Sequence, residues 1–190
     1  PPLYYYAVTG WTRLAGRGEW ALRFPSAFAG VLTVPLIWAT ARRLYGRSPT
    51  GHVAALLAAL LATLSPLHVY YAQEARMYAQ LTLLGLAAGY ALLRAREDRS
   101  WWAVFAAFAA AVLYTHYFGA FLLAAYAVCL LASGVARRAP GRAPYRGYWR
   151  LAVASAVAVA LAYLPWLPAM LTRYRMDRSY WSGPLKLGEA

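Results

Sequence analysis

The sequence predicts an all-α, polytopic membrane helix bundle of about six transmembrane helices with an N-terminal interfacial helix. Three observations carry this expectation. The 190 residues are 62% hydrophobic and 16% aromatic yet only 13% charged, a composition outside that of an ordinary soluble domain. Charge-free runs recur at lengths close to the roughly 20 residues a helix needs to cross the hydrocarbon core. Basic residues fall between those runs rather than along a solvated face, so the net charge of +13 does not point to nucleic acid.

Residues 1–190 read as a single transmembrane domain that is part of a longer protein, beginning with an outer segment over 1–23. There Tyr4, Val8, Trp11 and Ala15 recur at helical spacing while Thr9, Thr12, Arg13 and Arg17 lie off the stripe, the pattern of a helix lying along a membrane surface. Six spans are expected over 24–172. The first runs from Phe24 to Ala41 and is stopped by Arg42, Arg43 and Arg47. In the next, Val53 to Leu64 is apolar and closes at Ser65-Pro66. A third extends from Met77 to Leu93, ended by Arg94, Arg96, Glu97, Asp98 and Arg99.

The 37 residues from Ser100 to Ala136 contain no Asp, Glu, Lys or Arg, which is too long for one crossing. Two helices with a break at Tyr114-Thr115-His116-Tyr117-Phe118-Gly119 are expected, since aromatic and polar side chains suit an interface. A last run covers Leu151 to Thr172, and residues 173–190 read as an outer tail leading into a further C-terminal part. Eleven of the 19 basic residues occupy three short loops, which the positive-inside rule places in the cytoplasm. The segments 65–78, 114–119 and 173–190 are then extracytoplasmic, on the outer side of the cell membrane. The single cysteine, Cys129, excludes an intramolecular disulfide framework. No Walker loop, dinucleotide fingerprint, HExxH or GxSxG occurs.

The segment from His68 to Tyr78 is the richest in chemistry, with Glu74 and Arg76 two residues apart at the mouth of two spans. A carboxylate there can accept a proton or bind a cation, and a guanidinium can grip a phosphate. The same pair also suits a solvated loop at a helix entrance. His116 ends another span and reads either as a hydrogen-bonded structural residue or as a ligand. The tail arginines Arg173, Arg175 and Arg178 are candidates for holding lipid phosphate. A transporter or flippase of lipid-linked intermediates is the alternative function, and it calls for polar residues near span centres, where the sequence has almost none. A purely structural membrane subunit would leave Glu74 and Arg76 freely replaceable.

The opening Pro1-Pro2-Leu3-Tyr4-Tyr5, the segment Ala21-Leu22-Arg23-Phe24-Pro25-Ser26, the block from Tyr70 to Tyr78 and the turn Tyr114 to Gly119 together resemble the family 39 glycosyltransferases. These are relatives of protein O-mannosyltransferases and lipid A aminoarabinose transferases, and the likeness is strongest to the bacterial branch that modifies lipopolysaccharide cores or cell-envelope glycans. The resemblance implies a bundle of the GT-C type that moves a hexosyl or pentosyl unit, with inversion, from a polyprenyl-phosphate donor to a glycan, lipid or protein acceptor. Membrane lipids are expected partners and nucleic acid is not.

Carried over position by position, the family pattern implies Glu74 as a catalytic residue, the second acidic residue of the site. It implies Arg76, Gln73, Tyr71 and Arg23 as substrate-binding residues. A divalent cation is the one cofactor the family implies, with His116 as its candidate ligand. The family's principal catalytic acid lies in an external loop upstream of the Pro-Pro-Leu-Tyr-Tyr motif. The 190 residues are therefore expected to lack it and to be inactive alone.

Overall fold

The computed structural model describes residues 2–136 and 146–176, of which 133–136 and 173–176 are described by their backbone alone. The loop arginines Arg137, Arg138 and Arg142 and the tail beyond Met176 lie outside the described residues, as do the side chains of Arg173 and Arg175. The order is α1 (Leu3–Ala15), α2 (Glu19–Tyr45), α3 (Pro49–Leu64), α4 (Pro66–Gln73), α5 (Tyr78–Ala95), α6 (Trp101–Thr115), α7 (Gly119–Ala136) and α8 (Tyr148–Tyr163). A single 3-10 turn, Leu164–Trp166, leads into α9 (Leu167–Met176). Among the described residues there is no strand, and the fold is all-α.

Local sequence explains where the helices start and stop. Two Ser-Pro pairs open α3 and α4: Ser48 accepts from the Gly51 amide at 3.1 Å, Ser65 accepts from the His68 amide at 3.3 Å, and the proline follows at the first helical position. Before α6, the Asp98 carboxylate takes the Ser100 amide at 2.9 Å and the Ser100 hydroxyl at 2.8 Å. The break inside the long charge-free run falls at His116, Tyr117 and Phe118, within the expected aromatic turn. The α1 stripe matches in part: Tyr4 is buried and Val8, Trp11 and Ala15 are half-buried, while Thr9, Arg13 and Arg17 are exposed and Thr12, expected off the stripe, is half-buried as well.

Small residues form the helix contacts. Ala88, Ala91 and Ala95 of α5 are fully buried against α6, whose Trp102, Phe105 and Ala109 complete the main cluster together with Tyr148 and Val159 of α8. Without a hydrophobic force between helices in lipid, such close backbone approach is what holds a bundle together. The opposite faces are apolar and uncovered. Leu57, Leu60, Leu61 and Leu64 of α3 and Val153, Val157 and Leu161 of α8 are all exposed, as lipid-facing residues are.

Length and composition alone qualify fewer spans than the six expected. Among the described residues, Glu19–Tyr45 and Tyr148–Thr172 are long and apolar enough to cross a membrane, and α3 with α4 is a third if that pair, bent by 56°, counts as one. Three helices account for the shortfall, one of them α7, whose apolar stretch counts only over Gly119–Ala132. The 15 residues of α6 rise only about 22 Å against a core of about 30 Å, and α5 carries Gln80, Thr82 and Arg94 among its apolar residues.

Candidate active site at the α4–α5 turn

The residues from Glu74 to Met77 connect α4 to α5. The turn is tight, with the Arg76 amide donating to the Glu74 carbonyl at 2.7 Å. α2 fixes where it lies. Ser26, fully buried on α2, donates to the Arg76 carbonyl at 3.0 Å across 50 residues of sequence, and its hydroxyl lies 3.4 Å from the Tyr4 hydroxyl of α1. One turn further along α2, Gly30 meets α4 so closely that a Cβ there would lie 2.6 Å from the Cβ of Ala72. His68 Nε2 completes the clamp, 3.1 Å from the Gly30 carbonyl, where it donates.

α1, α2 and α4 therefore meet beside the turn that carries Glu74. Its Oε1 lies 3.3 Å from Arg76 Nε, with the glutamate side chain 24% exposed and the arginine 62% exposed. Its Oε2 is buried and has no hydrogen-bond partner within the protein. A buried, unpartnered carboxylate oxygen is costly, and such groups cluster where a ligand supplies the missing partner. The Arg76 guanidinium is held above its ordinary pKa by the Glu74 charge first and by the hydrogen bond it donates to the Tyr78 hydroxyl second, so it is a permanent cation. Burial raises the Tyr4 phenol, and the Glu74 charge adds to that in a smaller way.

The remaining sequence candidates are placed unequally. Tyr71 is half-buried in a row of rings, 5.3 Å from Tyr70 and 4.9 Å from Tyr78, and Tyr78 lies 6.2 Å from the His116 ring. Tyr71 thus belongs to the same cluster as Arg76 through Tyr78. Gln73 ends α4 with its side chain exposed. Arg23 is engaged elsewhere, in an i,i+4 pair with Glu19 at 2.6 Å on the exposed first turn of α2.

His116 is 7% exposed, and its Nδ1 accepts the Phe118 amide at 3.1 Å. That bond places the ring proton of the neutral form on Nε2, leaving no lone pair free for a cation. Burial lowers its pKa, in keeping with a neutral ring. Among the described residues no group of three or more His, Cys, Asp or Glu could hold a metal ion. The residues present do not fit the expected divalent site at His116.

Ser26, Tyr4 and Tyr78 are the site residues that sequence reasoning left unassigned. Each lies in a segment that carries the family resemblance, yet no spacing rule connects Ser26 to a carbonyl 50 positions away.

No curated protein and no solved structure is significantly similar to the chain. The sequence pattern of the dolichyl-phosphate-mannose-protein mannosyltransferase family matches residues 1–167, which includes every element from α1 through α8 and the whole of the Glu74 turn. Membrane glycosyltransferases of the GT-C type make up this family, and the chain belongs to it.

Proposed function

We propose that the chain contributes to moving a sugar from a polyprenyl-phosphate donor to a cell-envelope glycan, lipid or protein acceptor at the extracytoplasmic face. The observation that carries this reading is the unequal depth of one ion pair. The carboxylate of Glu74 is drawn inward with one oxygen unpartnered, while the guanidinium of Arg76 stays exposed beside it. Transfer with inversion asks for that division of labour.

The acceptor hydroxyl gives its proton to Glu74 Oε2, and its oxygen forms a bond to the anomeric carbon as the bond from that carbon to the donor phosphate breaks. The departing polyprenyl phosphate takes the bonding electron pair and gains a negative charge, which Arg76 neutralises. Tyr71 and Tyr78 offer ring faces for the sugar, and exposed Gln73 offers an amide to its hydroxyls. The six-span organisation and the plasma-membrane orientation are parts of this same proposal, supported by Arg42, Arg43 and Arg47 at the end of α2 and Arg94, Arg96 and Arg99 at the end of α5, both away from Glu74.

The test uses the full-length protein purified from membranes and assayed for sugar transfer from polyprenyl-phosphate sugars. Glu74→Gln keeps the shape of the side chain and removes the base, so kcat is expected to fall on the order of 10²–10⁴-fold. Full activity in a Glu74→Gln, Arg76→Ala double variant overturns the site.

A further inference from the structure

At the end of the bundle away from the Glu74 turn, an open groove of about 790 Å³ lies between the α5–α6 connection and the start of α8. The 18 residues of α5 separate the two places, since the helix begins at Tyr78 beside the site and rises about 27 Å. Exposed Arg99, Arg146 and Arg150 bring three cations to the groove, and Tyr148, Trp149 and Leu151 give it an apolar lining. Arg99 Nη2 donates to the Arg146 carbonyl at 3.2 Å, joining the two walls.

The carboxylates close in sequence are committed elsewhere. Glu97 pairs with Arg43 of α2, and Asp98 is held below the usual carboxylate range by the Ser100 amide first and the Ser100 hydroxyl second. Among the described residues no Asp or Glu lines the groove. No side chain caps α8, so the amides of its first turn add to the positive potential.

The groove borders an aromatic band of the kind found at a bilayer surface. Trp102 lies 5.2 Å from Tyr148, Tyr148 lies 5.4 Å from Trp149, and the Arg94 guanidinium stacks 4.7 Å over Trp101. A free inorganic anion would use the arginines alone and leave this apolar lining wet. We propose that the groove binds the headgroup of an anionic phospholipid. Its phosphate meets Arg99, Arg146 and Arg150, and its glycerol and first acyl carbons run along Tyr148, Trp149 and Leu151. The positive-inside rule gives this end of the bundle to the leaflet that carries anionic lipid.

The test is thermal unfolding of the purified full-length protein in detergent, titrated separately with phosphatidylglycerol, phosphatidylcholine and inorganic phosphate. Phosphatidylglycerol is expected to raise the unfolding midpoint saturably. Its half-saturating concentration should rise at least fivefold in Arg146→Gln/Arg150→Gln, which leaves the Arg99 bond to the residue 146 carbonyl in place. The charge-keeping Arg146→Lys/Arg150→Lys protein should stay within twofold of the parent. A phosphatidylglycerol carrying a photoreactive headgroup should label residues 146–151 in the unaltered protein, so the proposal stays testable if the glutamine variant does not fold. An unchanged half-saturation in the glutamine variant, an equal response to phosphatidylcholine, or labelling confined to other segments overturns it. An equal response to inorganic phosphate assigns the groove to a free anion and overturns it as well.

Discussion

The Ser26 hydroxyl donates to the Arg76 carbonyl at 3.0 Å, which ties the middle of the α4–α5 turn to a fully buried position on α2. The bond is short-ranged in space and 50 residues long in sequence, so it sets how the turn presents both of its charged side chains.

Removing that hydroxyl in Ser26→Ala leaves a part-buried carbonyl without its donor and also strips the Tyr4 hydroxyl of its neighbour. Stability should fall by about 1–2 kcal/mol. A turn released from α2 no longer holds Glu74 against Arg76, so kcat for sugar transfer should drop further than the change in folding explains. Steady-state kinetics alongside thermal unfolding separates the two effects, and a variant with unchanged kcat removes Ser26 from the site.

Gly30→Ala tests the approach of α2 and α4. The added methyl would lie 2.6 Å from the Ala72 Cβ, both on helix backbones, so neither can swing away. Overpacking of this kind costs about 1–3 kcal/mol. Ala72→Gly in the same chain should restore most of the loss, and a double-mutant cycle with no coupling between the two positions would contradict the contact.

His116 makes a pH prediction. Its folded pKa lies below the ordinary value of 6.5 because burial disfavours the charged ring. The unfolded chain then binds the proton more readily than the folded one. The neutral ring's contribution is present in full above about pH 6.5 and is lost as pH falls from there through the lower folded value. Thermal unfolding of His116→Gln measured from pH 7.5 to 5 should be flatter than that of the parent. Equal slopes would show that the ring is solvated.

Arg76→Lys keeps the charge and loses the planar fork. If the guanidinium holds a leaving phosphate through two donors, transfer should fall about 10-fold or more while binding of the acceptor stays nearly constant. A lysine variant as active as the parent would reduce Arg76 to a simple point charge.

Much of the fold is legible in the sequence because membrane helices are written in long, charge-free runs with arginines at their ends. The break at His116 to Phe118 and the Tyr4, Val8, Trp11, Ala15 stripe follow from the same reading. Span counting from charge alone is less secure, since it ignores how Gln80 and Thr82 dilute α5 and how short α6 is. At the site, Glu74 and Arg76 are legible through their proximity in sequence. The partner of Arg23 is legible too, four residues back at Glu19, and it draws that arginine into a pair on the first turn of α2. What stays hidden is everything that depends on α2 passing behind the turn: the Ser26 bond, the Gly30 contact and the depth of Glu74 Oε2. Those arise from the third dimension, where residues far apart in the chain share one buried line.

The 56° bend at Ser65-Pro66 redirects the chain just before the site. Proline supplies no amide hydrogen, and the Ala62 carbonyl is met instead by the Ser65 amide at 3.2 Å, off the regular ladder. Backbone displaced from its ladder is stable only where protein or water satisfies it, never against hydrocarbon. The kink is therefore answered by the chain's own backbone and needs no outside partner. It turns α4 and the Glu74 turn after it off the line of α3, whose exposed leucines run up to Leu64.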